Sequence, residues 1–328
     1  MMERNFVGAL ALYASACLAS SAEGADHLRI SIQKTGTVSW EIALMKARGL
    51  DKAADLEVET TELASTDAGK VALEGGGADM IVSDWLWVAR ERGLGDKLLF
   101  TPYSSALGAV MAPKDSPIRG LADLAGRSIG VAGGPIDKSW LLLRAAALRK
   151  GLDLAKTARP SYGAPPLIAE KFAQGETDVA LEFWNFCADL ETRGFRRAIE
   201  MADVEKALGA SGQVAMTGYV FSESFAAAHR DVLSRYFAAV AAVHEILAHD
   251  RSAWDPIKAR LNLKDDAALE VYRTRYLDGI PKRTVAEEAA DGASFIERWL
   301  TWAVRSSSAR PRISTSVCST IQRQGNEA

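Results

Sequence analysis

Apolar and polar positions along the chain form short segments whose period keeps switching between strand and helix. Leu28–Gln33 alternates apolar and polar residues and predicts a half-buried strand. Lys34 to Thr37 turn the chain. Val38 to about Gly49 then carries helical spacing, with Thr37 or Ser39 as cap. Leu56–Leu63 predicts a second strand, and Asp67–Glu74 a short helix broken by Gly75, Gly76 and Gly77. Met80–Val82 is a short apolar strand, after which Ser83 and Asp84 start a helix over Trp85–Arg92.

Lys97–Phe100 and Ala106–Ala112 read as extended, and Leu121–Gly126 as a helical corner. Ile129–Ala132 reads as a buried strand, followed by Gly133, Gly134 and Pro135 and a helix from Ile136 to about Lys150, with the proline at its first position. Pro160–Gly163 ends an extended piece, Pro165–Gln174 is a helix, and Asp178–Glu182 is a strand that continues toward Trp184. Gln213–Phe221 is extended. Glu223–His249, Asp265–Leu277 and Val285–Val304 are helical, and the aperiodic Ser/Thr/Arg-rich stretch from 305 to 328 reads as a disordered tail.

Strands alternating with helices predict an α/β fold with mainly parallel sheets flanked by helices. A helix, a glycine break, an aspartate and a strand recur in that order at Val71–Val82 and Ala169–Leu181, so the chain is expected to form two lobes. Its first crossing between them would lie near Leu99–Ala112 and its second near Gln213–Phe221. Residues 26–104 then form the first part of lobe 1, residues 105–217 form lobe 2, and residues 218–304 return to lobe 1.

The chain of 328 residues is 48% hydrophobic and 25% charged, with a formal net charge of −3, which is ordinary for a globular protein. It has no dense basic stripe, so nucleic acid is not an expected partner. Phe6 to about Leu18 is apolar but too short to span a membrane, and Ser20, Ser21 and Ala22 supply small residues before polar Glu23. Residues 1–25 therefore read as an export signal, cleaved at 22 or 25, which places the protein in the periplasm. Of the three cysteines, Cys17 leaves with the signal, and Cys187 and Cys318 could form at most one bridge.

Catalytic motifs are missing: no GxSxG, P-loop, HExxH or strand-linked GxGxxG occurs, and the four histidines lack metal-ligand spacing. No enzyme activity, cofactor or metal is expected. The candidate chemistry lies instead in turns that follow strands. Thr35, Gly36 and Thr37 could hold a polar head or simply cap a helix. Asp84 is a cap or a ligand group. Trp85 and Trp87 lie two apart, so one of them is expected to face a cleft. Tyr103 and Ser104 sit at the first crossing, Tyr219 at the second. Gly133, Gly134 and Asp137 form a turn ahead of a helix. Glu182 and Trp184 would point the same way from a strand end.

LADLAGRSIGVAGGP, LEGGGADMIVSDWLWVARERG and FAQGETDVALEFWNF, in this order and spacing, resemble segments of the periplasmic solute-binding proteins of ABC importers. The resemblance runs from about Leu28 to Val304 and is to the nitrate/sulfonate/taurine group, which also holds thiamine-pyrimidine binders. It implies a two-lobed type II periplasmic-binding (Venus-flytrap) fold, a small-molecule solute in the interlobe cleft, no catalysis, and delivery by a monomer to an ABC permease in the inner membrane. Hinges would lie near Tyr103–Ala106 and Gly218–Tyr219. The family label suggests an anion. Asp84, Asp137 and Glu182, set against Lys34 and Lys138, suggest a solute with hydrogen-bond donors or positive charge and a planar ring. Two other readings are a periplasmic accessory protein that uses Trp85 and Trp87 to bind an oxidoreductase, and a pyrimidine synthase-like enzyme on the same fold.

Overall fold

The computed structural model describes residues 25–284 together with 287, 288, 290 and 291. Residues 1–24 of the expected export signal, Cys17 among them, most of the helix expected over Val285–Val304, the expected tail and Cys318 lie outside the described residues. So does any Cys187–Cys318 bridge.

The first part of the chain runs β1 (Asp26–Gln33), α1 (Val38–Ala47), α2 (Leu50–Ala53), β2 (Leu56–Leu63), α3 (Thr66–Glu74), β3 (Met80–Asp84), α4 (Trp85–Leu94) and β4 (Leu98–Ser104). The middle runs β5 (Ala109–Ala112), a 3-10 turn at Leu121–Leu124, β6 (Ser128–Ala132), α5 (Lys138–Arg149), α6 (Leu154–Thr157), β7 (Arg159–Gly163), α7 (Pro165–Ala173), β8 (Val179–Glu182), α8 (Trp184–Thr192), β9 (Arg196–Glu200) and α9 (Met201–Leu208). The chain then returns through β10 (Thr217–Ser222), α10 (Glu223–Ala228), α11 (Arg230–His249), α12 (Asp255–Arg260) and α13 (Asp266–Gly279).

Two five-stranded sheets result, ordered β2-β1-β3-β10-β4 and β7-β6-β8-β5-β9. Both are mixed, with the same plan: four strands share a direction and the fourth in spatial order, β10 or β5, runs against its neighbours. The reversed strand is in each case the one by which the chain arrives from the other lobe. Arriving at the hinge edge, where the other strands end, it must run the opposite way.

The repeated aspartates pin strand register. Asp79 accepts the backbone N–H of Arg29 at 2.9 Å and its guanidinium at 2.6 and 3.1 Å, holding β3 to β1. Asp178 accepts the N–H and hydroxyl of Ser128, each at 2.7 Å, holding β8 to β6. Inside the first sheet Leu28, Ile30 and Ile32 are buried, and each such side chain contributes about 1.5–3 kcal/mol.

Two expectations need correction. The helix after Gly134 begins at Lys138 with Asp137 as its cap, so Pro135 lies in the turn and not at the first helical position. The second crossing is the segment 209–216. Gly218 and Tyr219 lie inside β10, hydrogen-bonded between β3 and β4. The first crossing is the segment 105–108, between β4 of one sheet and β5 of the other. At Gly108 (φ +108°) a Cβ would stand 2.0 Å from the Glu182 carbonyl oxygen, so the chain can pass there only as glycine.

Candidate functional site

A cavity of about 320 Å³ lies between the two sheets. The carboxyl ends of β1, β2, β3 and β4 meet it from one side and those of β6, β7 and β8 from the other, joined by the amino end of β10 at Thr217. This is where open α/β sheets hold ligands: strands stop, helices start, and backbone groups are left without ladder partners.

Two carboxylates face each other from opposite lobes. Asp84 ends β3 and caps α4, accepting the Trp87 N–H at 2.9 Å. Asp137 caps α5, accepting Ser139 N–H at 2.9 Å and Trp140 N–H at 3.4 Å. Each places a negatively chargeable cap on its own helix start, which disfavours an external anion there. Burial pushes the Asp137 carboxyl up, and the Asp84 charge across the cleft pushes the same way, while Lys138 pulls it down. Of the two lining lysines, Lys70 pairs with Asp67 at 3.0 Å, and Lys138 holds its ammonium 5.3 Å from the centre of the Phe183 ring. No arginine is among the described residues that line the cavity.

Behind the cavity wall lies a buried polar cluster. Thr37 Oγ1 is 2.9 Å from the Tyr103 hydroxyl, and that hydroxyl donates to Glu41 Oε1 at 3.0 Å. The Tyr276 hydroxyl donates to the same Glu41 oxygen, and His244 Nε2 lies 3.3 Å from it. Burial lowers the affinity of His244 for a proton, but the Glu41 carboxylate outweighs it, so the His244 pKa is raised overall. Thr37, Tyr103, Ser104 and Trp184 line both the main cavity and a pocket of about 10 Å³, the size of one water, beside Glu41.

Of the residues singled out in the sequence, the structure brings Gly36, Thr37, Asp84, Tyr103, Ser104, Gly133, Gly134, Asp137 and Trp184 to the cavity wall. Thr35 is exposed beside it, its carbonyl accepting from Asn185 Nδ2 of the other lobe at 3.3 Å. Trp85 and Trp87 are both buried, in one apolar cluster with Val214 and Met216. The expectation that one faces the cleft assumed a helix with a single buried side. Helix α4 is covered on two, by its own sheet and by the second crossing, where Trp85 N–H donates to the Met216 carbonyl.

Glu182 is buried at 1% exposure and does not line the cavity. Burial drives its carboxyl well above the usual range, helped by the nearby Asp137 charge and opposed by the Phe183 N–H that it accepts. Tyr219 is also buried, stacked edge-on against Tyr103 and Tyr236. Trp184 does not extend a strand in line with Glu182. It opens α8, packs edge-on to Trp40 at 5.9 Å and touches Tyr276.

The cavity also takes in Gln33, Ser65, Lys70, Phe183, Asn185 and Thr217, none of them assigned to the site from sequence. Ser65 caps α3 through its hydroxyl and sits just after β2. The rule that located Gly36 and Gly133, a polar turn between strand and helix, applies to it equally.

Two α/β lobes, two crossing segments, and a cavity at the facing strand ends define the type II periplasmic-binding fold. Solved structures of that fold match over nearly the whole chain. The alkanesulfonate-binding protein SsuA from Xanthomonas axonopodis pv. citri, bound to MOPS, has a TM-score of 0.68 at 19% identity, covering 88% of this chain and 96% of its own. The periplasmic aliphatic sulphonate-binding protein SsuA from Escherichia coli has a TM-score of 0.67 at 20% identity, covering 89% and 99%. The Candida albicans CA3427 gene product, described as having the generic periplasmic binding protein fold, has a TM-score of 0.61 at 12% identity, covering 91% and 95%. The model of the NMT1/THI5-like family matches residues 41–253, and the chain belongs to that family. No curated protein matches the sequence.

Proposed function

We propose that this protein is the extracytoplasmic solute-binding component of an ABC importer. It captures a small polar solute, planar or cationic, between its lobes and hands it to an inner-membrane permease. The observation that carries this reading is the cavity at the strand ends, with polar and charged groups contributed by both lobes: Thr37, Asp84 and Tyr103 from one, Gly133, Asp137 and Trp184 from the other. A ligand that touches both lobes favours their closed arrangement by the difference between its affinities for the closed and open forms. We assign contacts with the solute to these residues together with Gly36, Ser104 and Gly134. The structural neighbours named for sulfonates support the role through their fold.

Burial of Trp85 and Trp87 removes the feature that favoured an accessory protein docking an oxidoreductase. Cys187 offers no nucleophile: it is buried beneath β5, and burial pushes its thiol up to about 12. Thermal-shift and calorimetric titration of the full chain against amines, amidines, pyrimidines, amino acids and sulfonates tests the proposal. Saturable binding of one solute with a rise in Tm is expected. A chain that binds none of them contradicts it.

A further inference from the structure

The buried cluster behind the cavity fixes the direction of a hydrogen bond at the cavity wall. Glu41 Oε1 accepts the Tyr103 hydroxyl at 3.0 Å and the Tyr276 hydroxyl as well. A phenol has one proton. Having given it to Glu41, Tyr103 can meet Thr37 Oγ1, 2.9 Å away, only as an acceptor. The Thr37 hydroxyl must therefore donate inward, and it too has one proton. The Thr37 hydroxyl, at the cavity wall, can offer the cavity nothing but lone pairs. Asp84 and Asp137, already accepting from their helix starts, present further lone pairs and charge from opposite walls.

We infer that this cleft selects a solute whose head carries N–H donors and positive charge, an ammonium or amidinium group. Selection rests on the acceptor faces of Thr37, Asp84 and Asp137, with Glu41 and Tyr103 as positioning residues that keep the Thr37 proton turned away. The inference rests on the reading of the cleft as a solute site and specifies what that site takes. It separates this chain from the neighbours named for sulfonates. An oxyanion in the same place would meet acceptor against acceptor, with Lys70 held by Asp67 and Lys138 beside both Phe183 and Asp137.

The test uses the full chain and matched probes that differ only in the head: benzamidinium with benzenesulfonate, and butylammonium with butanesulfonate. Calorimetry is expected to show the cation of a pair binding at least about tenfold more tightly than its anion, the effect of one charge-assisted hydrogen bond. In Tyr103→Phe the Thr37 hydroxyl regains a free proton, and the cation-to-anion ratio should fall by about tenfold. Thr37→Val should lower the ratio similarly, and Thr37→Ser should restore it. A variant that merely folds less well lowers both affinities together and leaves the ratio unchanged, and that result at Tyr103→Phe and Thr37→Val overturns the positioning role. A sulfonate that binds as tightly as its cationic partner overturns the inference while leaving the solute-binding reading intact. Failure of all four probes and of the wider solute panel overturns both.

Discussion

Asp84 and Asp137 each do two jobs with one carboxylate, closing a helix start and facing the cavity, and the jobs separate experimentally. Asparagine caps a helix about as well as aspartate but carries no charge. Asp84→Asn and Asp137→Asn should therefore leave Tm nearly unchanged and weaken binding of a cationic head about 10–100-fold by calorimetry. Asp137 also makes binding depend on pH. Its carboxyl is raised by burial and by Asp84, with Glu182 behind it and Lys138 opposing. A cation needs the ionised form. Affinity should fall as pH is lowered through the raised pKa and recover on the alkaline side, and Asp137→Asn should flatten that profile. Glu182 lies at the end of β8, just before the cavity-lining Phe183, and its sequence context matches that of a ligand group. Whether such a carboxylate faces the cleft or the interior is set by packing from β5 and the first crossing, distant in sequence, so the residue type alone could not decide it.

At the level of elements, the strands that alternate cleanly were legible. Leu56–Leu63 is found with the ends expected, and β1 differs only by two residues at its start. Strand β9, Arg196–Glu200, was not: it is a charged edge strand, and polar side chains at a sheet edge guard against pairing with another chain but erase the periodic signal. Helix α8 was hidden because it follows β8 directly, with Phe183 in the cap position and no side-chain cap to announce it. The Gly133 turn supplies an element-scale prediction. Gly133 has φ +88°, and a Cβ there would come within 3.3 Å of Asp137. Gly133→Ala should lower stability by roughly 1–2 kcal/mol in urea unfolding and disturb the α5 cap with it.

Beside the second crossing, Glu205 of α9 is buried and its carboxyl is pushed up to about 8, by burial first and then by Glu288 and Asp291, against the Val214 N–H and Arg283. A folded pKa above the unfolded value near 4.5 means that the neutral acid favours the fold at low pH. That stability is lost as pH rises from about 4.5 through about 8. Glu205→Gln should raise Tm relative to the parent at pH 8 and show little difference at pH 4.

The whole molecule is two copies of one plan, five strands with the arriving strand reversed, joined at 105–108 and 209–216. The plan was legible in the repeated glycine–aspartate–strand units, because Asp79 and Asp178 perform the same register-pinning task in each sheet. The second crossing was misplaced because Val214–Met216, in the crossing, and Tyr219–Phe221, in β10, are both apolar, and burial in a sheet and burial in a crossing leave the same trace. The lobes also meet through Trp184, which packs on Trp40 and Tyr276, and through Arg275 and Glu191, 2.5 Å apart. Arg275→Ala should cost at most about 1 kcal/mol, since that pair is partly exposed. Trp184→Ala removes a wall of the cavity and an interlobe contact together. It should enlarge the radius of gyration in solution scattering and abolish its contraction by ligand.

On the function proposed above, the cleft holds one small solute with a donor-bearing, positively charged head. Native mass spectrometry of the intact chain, after incubation with the low-molecular-weight fraction of its host's growth medium, tests it most directly. A single adduct of one solute per chain is expected, carried by the parent and lost in Asp84→Asn and Asp137→Asn, whose released molecule bears an ammonium or amidinium group. A chain that acquires no adduct, or one that retains a sulfonate in both variants, would contradict it.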